Sequence, residues 1–164
     1  MAKDDLDRTD FEILAQLQKN ARLSNKELAA RVGLAPSSCL ERVRRLVERR
    51  VLQGFHAEVD PLALGIEIEA MIAVRLVRHS RKDVDQFRAH VLSLPETVAV
   101  YHLAGENDFL VHVAVRDTPH LRELVLDSFT TRSEVAHLET ALVFGHTRGA
   151  VLPAYRSPDS AVVP

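Results

Sequence analysis

The sequence predicts an α+β chain in two parts: three helices, then a β-α-β-β-α-β run. Three observations carry that reading. Apolar residues recur at helical spacing through residues 7–50, interrupted twice by turn signals. From residue 66 the pattern changes to alternation, the period of a strand. Beyond it, two amphipathic helical segments alternate with three more apolar runs of strand length.

Each element has a local reason. In "DRTDFEILAQLQKN", residues 7–20, Asp7 caps a helix and Asp10 places negative charge in its first turn. Phe11, Leu14 and Leu17 form the apolar stripe, with Ile13 on its flank. In "SNKELAARV", residues 24–32, Ser24 and Glu27 make a capping box, Leu28 and Val32 face inward, and Gly33 stops the helix. The third helix begins at Pro36, where a missing N–H costs nothing, and runs to about Arg50. "VLQGFHAEVDPLALG" then reads as a short extended segment leading into a linker.

The second part starts with a strand over 66–77. Ile66, Ile68, Ala70, Ile72, Val74 and Leu76 lie on one face; Glu67, Glu69, Met71, Ala73, Arg75 and Val77 lie on the other. Residues 81–94 form a helix with Ser80 and Asp83 at its start and Val84, Phe87, Val91 and Leu94 inward. Residues 98–104 and 108–115 are strands joined by Gly105-Glu106-Asn107, a hairpin. Thr118 caps a helix over 119–131, and residues 135–145 are the last strand. Residues 151–164 carry three prolines and no period, which reads as a loose tail. The expected domains are 1–60, a linker at 61–66, a second domain at 67–149, and the tail from 150. The second domain has the ferredoxin-like element order. Two helices cover one face of four strands, so the other, half-apolar face needs a partner. A second copy supplies it in a symmetric dimer; the N-terminal domain of the same chain is the alternative.

Composition narrows the function classes. A chain of 164 residues with 46% hydrophobic content can bury a core. No apolar run is long enough to span a membrane, and the acidic start "MAKDDLDRTD" is not a secretory signal. A cytoplasmic protein is expected. The single cysteine excludes an internal disulfide, and no Cys/His cluster has metal-ligand spacing, so no metal and no cofactor are expected. Charge is asymmetric. Residues 1–56 hold 11 Lys and Arg against 8 Asp and Glu, while the remainder holds 10 against 15. Nucleic acid therefore suits the first part and not the second.

Two helices joined by a tight turn containing Gly33 form the helix-turn-helix pattern, whose second helix enters the major groove. On the third helix, Leu40, Val43 and Val47 cluster on one side, flanked by Leu46 and Cys39. Ser38, Glu41, Arg42, Arg45 and Arg49 fall opposite, and Ser37 stands in the exposed first turn. Guanidinium groups grip guanine or phosphate, hydroxyls bond to either, and a carboxylate accepts from cytosine. Periodicity alone fits a solvated basic helix equally well. Cys39 is expected to pack as a small hydrophobe, since burial opposes thiolate formation.

The stretch from "LDRTDFEILAQLQKN" through "CLERVRRL", "QGF" and "DP" resembles the N-terminal domain of the Lrp/AsnC (feast/famine) regulators, above all the leucine-responsive one. The second half, with "GENDFLVHV", resembles the family's RAM domain; together the resemblance covers about residues 5–149. It implies a winged-type helix-turn-helix domain on a βαββαβ domain, in a transcription regulator with no catalytic residue. It implies double-stranded operator DNA as partner, with Ser37, Ser38, Glu41, Arg42, Arg45 and Arg49 reading it. It implies self-association into dimers and into octamers or other multimers of dimers. It also implies a small effector, an amino acid, held near Gly105, Glu106, Asn107, Asp108 and Thr140. The loop residues favour a turn whatever else they do. Siroheme decarboxylases resemble the same family, and His102 and His112 on the expected central strands keep that enzyme alternative open. The chain departs from the family pattern at Ala35, where a Ser N-cap is common, and in "TRSEV", which lacks a Pro-Gly before the last strand. Ser37 or Ser38 is expected to offset part of the missing cap.

Overall fold

In a computed structural model of the chain, residues 6–147, 149 and 151–155 are described. The chain divides into two compact units. One holds the residues up to 58 together with those after 146; the other spans 59–146.

The N-terminal unit contains α1 (Arg8–Lys19), α2 (Asn25–Arg31) and α3 (Pro36–Glu48). Asp7 and Asp10 form a capping box on α1, and Ser24 and Glu27 form one on α2. The turn between α2 and α3 passes through Gly33 at φ +67°, a left-handed conformation that suits glycine. The core is Ile13, Leu17, Leu28, Ala29, Cys39 and Leu46, with Leu14, Val32, Val43, Val51 and Leu52 packed around it. Two expected stripes are therefore rotated. On α1, Ile13 is at the centre and Phe11 and Leu14 are half-buried. On α3, Cys39 and Leu46 are fully buried, while Leu40 and Val47 are 40% and 45% exposed. On α2, Ala29 joins Leu28 inside, and Val32 is half-buried.

α3 ends earlier than expected. Arg50 takes φ 55°, and the amides of Val51 and Leu52 both bond back to the carbonyl of Leu46. That left-handed residue and returning bond terminate a helix in the Schellman manner. Residues 53–60 belong to no strand, Phe55 and Val59 are exposed, and a 3₁₀ turn at Leu62–Leu64 ends on Gly65 at φ +76°.

The second unit contains β1 (Ile68–Leu76), α4 (Arg81–Ser93), β2 (Thr97–His102), β3 (Phe109–Val115), α5 (Thr118–Val125) and β4 (Val135–Val143). α5 runs on into a π-helical turn over Leu126–Thr130. The strands order as β2-β3-β1-β4, all antiparallel, as the split βαβ arrangement requires. β1 and β3 occupy the centre, so His102, on β2, is on an edge strand and only His112 is on a central one. The core joins Ala70, Ile72 and Val74 of β1 to Phe109, Val111 and Val113 of β3 beneath the helices. Phe87 of α4 anchors it, with ring centroids 4.9 Å from Phe109 and 6.3 Å from Phe129. Such pairs add to simple burial. The cap of α5 is Asp117, whose Oδ1 accepts from the His120 amide at 2.8 Å; Thr118 is the first helical residue.

The second sheet face carries Met71, Ala73, Leu110, His112, Tyr101 and Ala141, set by register. Met71, Ala73 and Leu110 are half-buried on this face and are not part of the buried core of the unit. In the tail, the Leu152 amide donates to Gln18 Oε1 at 2.9 Å, so this part is tied to α1 instead of loose. The expectation for residues 156–164 lies outside the described residues.

Candidate DNA-reading face and effector region

The outer surface of α3 is built by what its inner surface buries. With Cys39 and Leu46 inward, the opposite side presents Ser37, Glu41, Arg44 and Glu48, flanked by Ser38, Leu40 and Arg45. These residues line one shallow concavity. Ser37, Ser38, Glu41 and Arg45 are exposed, as a reading face requires. Arg44, not among the expected reading residues, also lies on the exposed face. Centring the helix on Cys39 and Leu46 would have found it.

Arg42 and Arg49 differ from expectation, since both are half-buried. The Arg42 Nη1 lies 2.6 Å from Asp7 Oδ2 and 2.9 Å from Asp10 Oδ1. Its guanidinium thus holds the start of α1 against α3, and the bonds to Asp7 and Asp10 raise its pKa. Burial pushes the Asp7 carboxyl up, but the hydrogen bond from Arg42, the Asp10 amide and the nearby positive charges outweigh it. The Asp7 pKa therefore lies below its ordinary 3.8. Asp10 itself is 1% exposed and also receives Arg45 Nη2 at 3.0 Å. Two arginines expected to face outward together thus share a buried acid on a neighbouring helix.

The first turn of α3 has no side-chain cap. Ala35 holds capping backbone angles, φ −66° and ψ 144°, and neither Ser37 nor Ser38 replaces the missing hydroxyl. The Asn25 amide donates to the Pro36 carbonyl at 2.7 Å, which fixes the α2–α3 turn but satisfies no amide. Cys39 is buried and free, and burial pushes its thiol pKa up, so it packs as a small hydrophobe.

In the second unit, Gly105, Glu106 and Asn107 form the β2–β3 loop, closed by the Leu103 amide donating to the Asp108 carbonyl at 2.8 Å. Glu106 and Gly105 are exposed; Glu106 Oε1 lies 3.6 Å from Arg75 Nη1. Asp108 differs from its neighbours. It is buried, its Oδ2 accepts from the Leu76 amide at 2.7 Å, and its Oδ1 lies 2.6 Å from His79 Nδ1. One oxygen thus holds the end of β1, and the other lies beside the exposed His79 ring. Thr140 is on β4, opposite Ile72 of β1, and lines a cavity of about 390 Å³ with Thr118, Leu121, Arg122, Val125 and Leu126. The loop contacts β1 but lines no part of the Thr140 cavity.

His112 lies beside Glu69 on the second sheet face. Its Nε2 is 2.6 Å from Glu69 Oε2, yet out of line for a hydrogen bond. Among the described residues no group of three or more His, Cys, Asp or Glu could hold a metal ion, and no helix is long and apolar enough to cross a membrane.

Comparison with known proteins joins the two units into one family. A winged helix-turn-helix DNA-binding model matches residues 6–53, and the Lrp/AsnC ligand binding domain matches residues 69–148. The chain is 46% identical over 146 residues to the transcriptional regulator AldR of Mycolicibacterium smegmatis, covering 89% of this chain and 85% of that protein. It is 39% identical over 121 residues to the leucine-responsive regulatory protein of Escherichia coli, covering 74% of each. A transcriptional regulator from Neisseria meningitidis, solved in complex with L-Met, superposes with a TM-score of 0.83 at 32% identity, covering 90% of this chain and 96% of that one. The chain belongs to the Lrp/AsnC family of transcriptional regulators, with a DNA-binding unit followed by an effector-binding one.

Proposed function

We propose that α3 reads operator DNA through Ser37, Ser38, Glu41, Arg44 and Arg45, and that an amino acid effector in the second unit modulates this binding. The observation that carries the reading is the exposed polar face of α3, set on a helix whose other side is fixed by Cys39, Leu46 and the Arg42 ion pairs. A guanidinium and a hydroxyl row on a rigid helix suits base edges and phosphates. Arg42, half-buried and paired with Asp7 and Asp10, serves the helix's placement more than its reading edge, and Arg49 is half-buried too.

The amino acid reading has its support in the L-Met complex of the Neisseria relative and in the leucine-responsive relatives. Gly105, Glu106 and Asn107 offer backbone amides and a carboxylate to an amino acid zwitterion, while Thr140 adds a hydroxyl from another surface. The loop residues and Thr140 line no common cavity in one chain, and in this reading an effector that touches both joins two copies. The open sheet face, with Met71, Ala73 and Leu110, supplies the dimer contact in this reading. The regulator then works as an oligomer whose effector changes how copies associate, and so the spacing of the reading helices.

The test is selection of duplexes from a random pool by the purified chain, followed by binding against each of the twenty amino acids with mass measured in parallel. The reading expects a two-fold symmetric selected sequence and a shift in affinity or mass with at least one amino acid. Binding with no sequence preference, or indifference to every amino acid, refutes the corresponding half.

A further inference from the structure

Asp10 is an acid in an unusual place. It is 1% exposed on α1, outside the helix-turn-helix pair, and its carboxylate is filled from three sides. Arg42 Nη1 reaches Oδ1 at 2.9 Å, and Arg45 Nη2 reaches Oδ2 at 3.0 Å and Oδ1 at 3.3 Å. The Asp7 amide approaches Oδ2 at 3.4 Å. A buried carboxylate without cationic partners would be strongly unfavourable, so the two arginines are held there as firmly as they hold it.

The two arginines are not equivalent. The Arg42 side chain is 27% exposed and its contacts tie α1 to α3. The Arg45 side chain is 48% exposed, and both of its contacts come from a single nitrogen, Nη2. Its Nε and Nη1 donate to nothing among the described residues, and the side chain lines the concavity with Ser38 and Glu41. One corner of the guanidinium is clamped, and its remaining donors are left on the exposed side. A long side chain normally surrenders rotamer freedom when it grips a ligand; one already clamped has surrendered it on folding.

We propose that Asp10 is a positioning residue for sequence recognition: it fixes the Arg45 guanidinium so that its Nη1 donors address a single acceptor on DNA. This rests on the reading that α3 meets DNA. A clamped arginine favours the one base or phosphate that matches its direction. A freed arginine reaches any phosphate within its arc. Asp10 therefore sets the ratio of specific to non-specific binding more than the total attraction, and it does so without touching DNA.

The experiment uses the full chain, duplexes selected by the wild-type protein, and poly(dI-dC) as non-specific competitor, at one fixed salt concentration. Asp10→Asn keeps the shape and removes the charge. Its selected-duplex affinity is expected to fall by about tenfold, while poly(dI-dC) affinity holds within about twofold. In an Arg45→Ala background the same substitution is expected to cost no more than about twofold further, since the clamped group is gone and Arg42 keeps its pair with Asp7. Folded fraction is measured by circular dichroism and the affinities are referred to it. Should Asp10→Asn not fold, Asp10→Glu keeps the charge, displaces the carboxylate by one methylene, and is expected to lower the same ratio. Equal losses on both DNAs, or an undiminished effect in the Arg45→Ala background, overturn the proposal and leave Asp10 a structural acid. If Arg45→Ala itself leaves selected-duplex binding unchanged, the reading of α3 fails and the proposal falls with it.

Discussion

α3 begins without a side-chain cap, and restoring one should stabilise it. α1 and α2 each start with a capping box and an acid in the first turn; α3 has neither. Pro36 has no N–H, and the Cys39 amide already bonds to the Ala35 carbonyl at 3.0 Å. Two first-turn amides, Ser37 and Ser38, therefore lack an acceptor within the helix. Ala35 has the extended backbone angles of an N-cap and is exposed, so a serine fits there without moving anything. Its Oγ would accept from the Ser38 amide. Ser in place of Ala at this position is worth about 1 kcal/mol. In a unit of this size that corresponds to roughly 4–8 °C in melting temperature. Native-state hydrogen exchange localises the gain, since α3 amides should slow by about fivefold while those of β1 and β3 do not change. Ala35→Asp should match the serine or exceed it at low salt, because the helix dipole adds to the cap, and converge with it at high salt. Unaltered exchange in α3 for both variants would mean that the first turn is already satisfied and that the reasoning is wrong.

Other substitutions probe the remaining special positions. Arg50→Gly should stabilise the N-terminal unit by about 0.5–1 kcal/mol, because Arg50 occupies a left-handed conformation at the end of α3; a loss in urea denaturation would refute this. Asp108→Ala should cost the second unit about 1–3 kcal/mol by leaving the buried Leu76 amide unpaired, whereas Asp108→Asn, which still accepts from it, should cost clearly less; equal losses in denaturant titration would mean that the His79 pair matters more than the amide bond. Asp7 has a folded pKa below its unfolded 3.8, so its contribution is complete above that pH and is lost as pH falls through the folded value. Acid titration of the N-terminal unit should therefore show stability falling below about pH 4, with a shallower fall in Asp7→Asn, which keeps the cap and drops the charge; parallel curves would refute the assignment.

The order and type of elements were legible because each rests on local signals. Capping pairs at Asp7, Ser24 and Ser80, the stop at Gly33, and the alternation through Ile68–Leu76 all operate within a few residues. The faces of α1 and α3 were less legible for one shared reason. A helical stripe is drawn through the largest apolar residues, here Leu14 on α1 and Leu40 and Val47 on α3. In the structure an acid, Asp10, occupies the buried face of α1, paired with Arg42 and Arg45 of α3, and Cys39 and Leu46 of α3 turn in. Asp10 and Arg42 are 32 residues apart, beyond any single-helix period. Asp117 takes the cap of α5 in place of Thr118: both residue types can cap, and Asp117 is the one with extended backbone angles.

Asp10 and Asp108 raise the same difficulty for reading function from sequence. An acid near an arginine-rich helix, or in a Gly-Glu-Asn-Asp loop, looks available for a ligand. Burial decides otherwise. A carboxylate removed from water must be filled by donors from its own chain, and once filled it has little left for a ligand. Asp108 has given one oxygen to the Leu76 amide and sets the other beside His79, so in the proposed reading its effect on an effector runs through the shape of the loop that begins beside it. Asp10 has given its oxygens to Arg42 and Arg45, so in the proposed reading its effect on DNA runs through the direction of a guanidinium. Both acids then act one residue removed from the proposed binding surface. Losing the charge and losing the hydrogen-bond acceptor should therefore have separable consequences at each, which is why Asn variants discriminate at both positions where Ala variants only report damage.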